Sequence, residues 1–97
     1  MDEEESANIP SDFQITSVYP NPFNPTVEVT MSLPSPGEVK AVWYSVDGRQ
    51  VDQQKFGMMN AGSQRFSWTP NNLTSGVYLL RLTTPFGTLT EKVTYLK

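Results

Sequence analysis

The chain contains no cysteine and no histidine among its 97 residues. Without cysteine there is no disulfide framework and no thiolate metal site. Without histidine, serine–histidine and cysteine–histidine nucleophile pairs, the zinc-protease helix and the usual pH switch are excluded together. The missing cysteines do not identify a compartment, because one domain of this length buries enough surface to stand without staples. Long apolar runs are also missing, so no segment reads as a transmembrane helix. Met1 is followed by acids and not by an export signal, and it reads as the start of a piece of a longer protein whose targeting signal lies upstream. The seven basic residues are scattered along the sequence as Lys40, Arg49, Lys55, Arg65, Arg81, Lys92 and Lys97. With a formal charge of −3 and a pI near 4.7, nucleic acid is not an expected partner.

What remains is short alternating segments separated by turn residues. Residues 1–8 carry the acidic run Asp2–Glu5 and read as a flexible, solvated linker or tail, and residues 9–97 read as one domain. From Phe13 onward apolar residues recur at every second position, the period of a strand. "TVEVTMSL" (26–33) places Val27, Val29, Met31 and Leu33 on one face. "EVKAVWYSV" (38–46) is apolar on both faces, as a central strand would be. "DG" at 47–48 predicts a tight hairpin with positive φ at both positions. "QVDQQKF" (50–56) reads as a charged edge strand and "GMMNAG" (57–62) as a loop. "SQRFSW", "VYLLRLTT" and "TLTEKVTYL" complete the set, the last two flanking a "PFG" turn. With a first strand near 13–19, the expected fold is all-β: an immunoglobulin-like antiparallel sandwich of about seven strands. Phe66, Trp68, Tyr78, Leu80 and Leu82 join Val39, Ala41 and Trp43 as the expected interior.

One stretch needs a separate account. "SVYPNPFNPTVEV" (17–29) brings three prolines and two asparagines around a single phenylalanine, directly before a strand. Pro20, Pro22 and Pro25 forbid both a helix and a central strand there. Asn21 and Asn24 precede prolines and can bond to nearby main chain. A rigid corner results, with Phe23 as its apolar anchor.

Catalytic constellations are sparse. Asp47 and Asp52 fall on a turn and an edge, and Glu28 and Glu91 are assigned outward-facing positions, so local sequence pairs no two carboxylates. "NLT" (72–74) matches a glycosylation acceptor, which matters only in a eukaryotic secretory setting. The aromatics Trp43, Tyr44, Trp68, Tyr78 and Tyr95 invite a sugar-stacking reading, but parity sends most of them inward. No metal or other cofactor is expected.

In order, "IPSDFQI", "YPNPFNPTVEVTMSLP", "VKAVWYSVDGRQV", "AGSQRFSWT", "SGVYLLRL" and "EKVTYLK" form a recognisable string. It resembles the type A C-terminal sorting domain of the type IX (Por) secretion system, and is similar to the immunoglobulin-like domain of flagellar hook-capping proteins. The resemblance runs from about Ile9 to Lys97. Its motif falls on Pro20, Asn21, Pro22, Phe23, Asn24 and Pro25, on the Ala61–Gly62 turn, on Trp68, on Ser75, Gly76, Val77 and Tyr78, and on Lys92 and Lys97. Ser45, Gln64 and Thr69 depart from the family pattern, which argues against a polar network shared among those three sites. The resemblance implies a non-catalytic secretion signal at the end of an upstream cargo. An outer-membrane translocon would read it, and a cell-surface transpeptidase would cut ahead of Phe13. The cargo would reach the cell surface or the medium. A chain ending just after its last strand suits a signal that must be reachable. The alternatives are a structural module, hook-cap-like or a spacer in a surface enzyme, and then a carbohydrate-binding module.

Strand parity adds a candidate docking patch. Val42, Tyr44 and Val46 lie opposite the core set of their strand, as do Val77, Leu79 and Arg81 of theirs. Leu96, with Lys92 and Thr94, extends the patch along the last strand. Gly76 is expected to have positive φ or a close backbone neighbour.

Overall fold

The computed structural model describes residues 12–97, so the tail expected over residues 1–8 lies outside it. The alternating segments form seven strands: β1 (Gln14–Tyr19), β2 (Val27–Leu33), β3 (Gly37–Ser45), β4 (Gln50–Met59), β5 (Gly62–Trp68), β6 (Gly76–Thr84) and β7 (Gly87–Tyr95). There is no helix among the described residues. Two antiparallel sheets pack face to face, one in the order β1-β2-β5 and the other β4-β3-β6-β7. The expected immunoglobulin-like sandwich is what forms. Its fourth strand, however, stays beside the third, where constant-type domains place it in the opposite sheet.

The β3–β4 hairpin explains that placement. Gly48 N–H donates to the Ser45 carbonyl and Ser45 N–H to the Arg49 carbonyl, both at 2.9 Å. Of the two turn residues only Gly48 has positive φ (88°), so the two-residue positive-φ turn expected at Asp47–Gly48 is replaced by a wider turn. Its left-handed glycine still matches the strand twist. The Asp47 carboxylate accepts the Ser45 hydroxyl inside this turn, which holds its pKa below the ordinary value, with help from the Arg49 backbone. β4 then continues through Met59, past the loop expected at 57–62. Register shifts between Val39 and Lys40 and between Trp43 and Tyr44 let this polar, irregular segment pair along its whole length. Such bulges are frequent at sheet edges.

The interior is the one parity indicates. Val27, Val29, Met31 and Leu33 of β2 face Val39, Ala41, Trp43, Leu80 and Leu82, all buried. At its centre the Trp43 and Trp68 rings stack at 3.9 Å and 9°. Their indole N–H groups would be costly to bury unpaired. β4 supplies both acceptors: Gln54 Oε1 at 2.9 Å from Trp43 Nε1 and Asp52 Oδ2 at 2.7 Å from Trp68 Nε1. Glu91 is a correction to its expected outward position. It pairs with Leu80 across β6 and β7, which places it on the inner side, half-buried. β7 is an edge strand, so solvent still reaches an inward acid there.

The register defines two poles. β1 ends, β2 begins, β3 ends, β6 begins and β7 ends at one pole, through the pairs Tyr19–Glu28, Val27–Trp68, Ser45–Tyr78 and Gly76–Tyr95. β1 begins at the other, where Gln14 pairs with Ser32 and Gly37 with Met59.

Candidate functional site

The proline corner at the first pole clasps the edge of the last strand. Phe23 is 1% exposed, its ring 5.1 Å from Tyr95 and 6.0 Å from Trp68. Phe23 N–H donates to the Thr94 carbonyl at 2.9 Å, and Leu96 N–H donates to the Phe23 carbonyl at 3.0 Å, forming one parallel bridge. Pro20 and Pro22 have no N–H to extend that bridge. The Asn21 side chain supplies what the backbone lacks. Its Oδ1 accepts from Thr94 N–H at 2.9 Å and its Nδ2 donates to the Lys92 carbonyl at 3.2 Å. The corner therefore imitates a short strand and covers the β7 edge from Lys92 to Leu96, where an uncovered edge would pair with other chains. Its three X-Pro bonds are cis, and Pro20, Pro22, Asn24 and Pro25 face solvent.

Distant motif pieces meet at the same pole. Gly76 pairs with Tyr95 and has φ 155°, the positive value expected, with open space where a Cβ would point. Tyr78 is buried, edge-on to Trp68 at 6.0 Å, and its hydroxyl donates to the Thr74 carbonyl at 2.7 Å. Lys97 N–H donates to Ser75 Oγ at 2.8 Å. The Ala61–Gly62 turn lies at the other pole, with Gly62 opposite Leu33. The three departures from the family pattern make separate contacts: Ser45 with Asp47, Gln64 Nε2 to the Asn60 carbonyl at 3.0 Å, and Thr69 with the Thr26 hydroxyl at 2.7 Å.

The residues expected to form a docking patch come together in part. On the outer face of the four-stranded sheet Tyr44, Leu79 and Lys92 lie side by side in register, with Val77 opposite Thr94 and Val42 opposite Arg81. Tyr44, Val77 and Leu79 are half-buried and Arg81 is exposed. The Arg81 guanidinium sits 5.6 Å above the Tyr44 ring and Nη1 donates to its hydroxyl at 3.4 Å, an arrangement with cation–π character. Val42 is a correction: it points outward yet is only 4% exposed, in the middle of a central strand with long side chains on both flanks, and offers no surface. Val46 is another, since β3 ends at Ser45 and Val46 rides the tip of the turn, 70% exposed. Leu96 is 50% exposed just past β7.

Sequence reasoning missed two features. One is the pairing of Asp52 and Gln54 with the buried indoles, which links residues too distant for any local pattern to reveal. The other is the gathering of Lys40, Lys55, Arg81 and Lys92 on one sheet face, although the sequence spreads them over five strands' length of chain. Among the described residues no group of three or more histidine, cysteine, aspartate or glutamate side chains could hold a metal ion. No helix among them is long and apolar enough to cross a membrane.

The family model described as the secretion system C-terminal sorting domain matches residues 17–95. The matched span begins just ahead of the proline corner and ends at Tyr95, the residue stacked on Phe23. No curated protein matches the chain closely enough to count as a relative. The chain belongs to the secretion system C-terminal sorting domain family.

Proposed function

We propose that this sorting domain is a non-catalytic address for an upstream cargo, carrying it through the type IX secretion system to the cell surface or the medium. Its partners on this reading are an outer-membrane translocon and a cell-surface transpeptidase, and it uses no cofactor. The observation that carries the reading is the convergence of most of the motif, all but the Ala61–Gly62 turn, on one pole. The proline corner, Trp68, Gly76, Tyr78 and the last strand are far apart in sequence but interlock through Phe23, Asn21 and Ser75. The motif therefore specifies a folded surface and not a linear tag. Tyr44, Val77, Leu79, Arg81 and Lys92, with Leu96 at the rim, would form the contact face, since clustered half-exposed apolar side chains bordered by charge mark interaction sites.

Residues 9–97 fused to a periplasm-targeted reporter in a type IX host should bring the reporter to the surface or medium. Removing Lys92–Lys97 should strand it in the periplasm, because that deletes Val93 and Tyr95 from the core along with two cations. Tyr44→Ser with Leu79→Ser separates recognition from folding. Both side chains lie outside the core, so the domain should still melt cooperatively while export falls. Export of the truncated fusion at the full level would overturn the address reading. Normal export of the folded double variant would move the contact face elsewhere.

A further inference from the structure

At the pole where β1 begins, the outer face of the four-stranded sheet carries an unbalanced charge. Lys40 and Lys55 are directly opposite each other across β3 and β4. Like charges in that relation destabilise a sheet unless something offsets them. Together with Glu38, Thr83 and Pro85 they line an open cavity of about 530 Å³. Neither lysine is in an ion pair among the described residues; the one ion pair there, Arg65 with Glu28 at 3.7 Å, lies on the other sheet. Arg81 and Lys92 continue the same face, and Glu38 is its one described acid. Four of seven cations thus share a single face of a chain whose net charge is −3.

We propose that the acidic run Asp2–Glu5 of the same chain docks in this cavity, its carboxylates compensating Lys40 and Lys55. Charge and reach both support it. The run carries four consecutive acids, the densest negative charge in the sequence. The Ser32 hydroxyl donates to the Asp12 carbonyl at 3.4 Å, which fixes the start of the described chain at the cavity's own pole. From Asp12 back to Glu5 an extended chain spans roughly 23 Å. The separation to be crossed is the sheet-to-sheet distance of about 10 Å plus roughly three strand spacings, because β1 lies over β7 while the lysines are on β3 and β4. At roughly 24 Å in all, Glu4, Glu3 and Asp2, further out along the chain, are the acids that reach. Each exposed pair alone is weak. A short tether, however, raises the local concentration of the acids to the millimolar range. The contact should therefore form at low salt and dissolve when charges are screened.

The chain has no native cysteine, so Ser6→Cys takes a single nitroxide label. Amide spectra of the labelled 97-residue protein are recorded at about 20 mM and about 500 mM sodium chloride, where the screening length falls several-fold. The Lys40, Lys55 and Thr83 amides should broaden at low salt and recover at high salt, while those of Glu28 and Arg65 stay sharp. The same label on a chain carrying Asp2→Asn, Glu3→Gln, Glu4→Gln and Glu5→Gln should lose most of the broadening, as should Lys40→Gln with Lys55→Gln. Equal broadening with the neutralised run would overturn the proposal. So would no broadening at low salt, or broadening that grows with protein concentration, which would make a second copy the occupant.

Discussion

Replacing Asn21 by alanine tests the clasp between the proline corner and the last strand. The change removes two hydrogen bonds, one of 2.9 Å from Thr94 N–H and one of 3.2 Å to the Lys92 carbonyl. Both groups lie near solvent, so each bond contributes toward the lower part of the usual range, about 0.5–1 kcal/mol. The expected loss is about 1–2 kcal/mol. A domain of this size loses about 4–8 °C of melting temperature per kcal/mol, which predicts a fall of about 5–15 °C. Melting alone would not locate the cause, but native-state amide exchange does. Thr94 N–H points away from β6, and without Asn21 it faces water, so its exchange should accelerate at least about tenfold while Val93 keeps its protection. Asn21→Asp divides the two bonds: the acceptor for Thr94 survives, whereas the donor to Lys92 becomes a carboxylate beside a carbonyl. Thr94 should then remain protected in a protein that is still destabilised. An unchanged Thr94 exchange rate in Asn21→Ala, with an unchanged melting temperature, would show that the corner does not hold the edge.

Gly76→Val should cost more than about 1 kcal/mol, because a β-branched residue is strained at φ 155° even though open space surrounds the site; an unaltered melting curve would refute this. Asp52→Ala leaves the Trp68 indole N–H without its acceptor and should destabilise by about 1–3 kcal/mol, with a shift in tryptophan emission on urea unfolding curves. Asp47 has a depressed pKa in the folded protein, so its contribution is present above the ordinary carboxylate value and is lost as pH falls through the folded value. Ser45→Ala removes the main cause, and carbon-detected titration should find the Asp47 pKa moved back up toward that ordinary value.

Alternation at Val27–Leu33 and Val39–Trp43 was enough to assign the strands, because a face buried against a second sheet tolerates no slip of register. It was also enough for most of the interior, while Phe23 was read from its place as the single large apolar residue of the proline corner. It misled at the margins. Val42 obeys the period, but its exposure depends on which strands lie alongside; Glu91, next to outward Lys92, is inward by the same period, and its outward assignment departed from it. The Asp47–Gly48 turn was legible as a hairpin and not as its type, since the Ser45–Asp47 contact inside it is made by side chains. The function of the proline corner was the least legible part. Its stiffness can be read from three prolines, but its partner is separated from it by 71 and 73 residues in the Asn21 bonds. Only the closed sandwich brings them together.

On the proposed function, the two poles bear on how one domain could serve different passengers. Asp12 lies at the pole where β1 begins, hydrogen-bonded to Ser32, while the corner, Tyr78 and the end of β7 occupy the opposite one. A nine-residue strand separates those ends by about 30 Å. A bulky passenger would therefore trail behind the domain like a load behind a coupling, and its size and shape would not shadow the corner. An antiparallel fold with the opposite strand polarity in β1 would have put such a load against the proline corner, and each new passenger would then have had to fit around it.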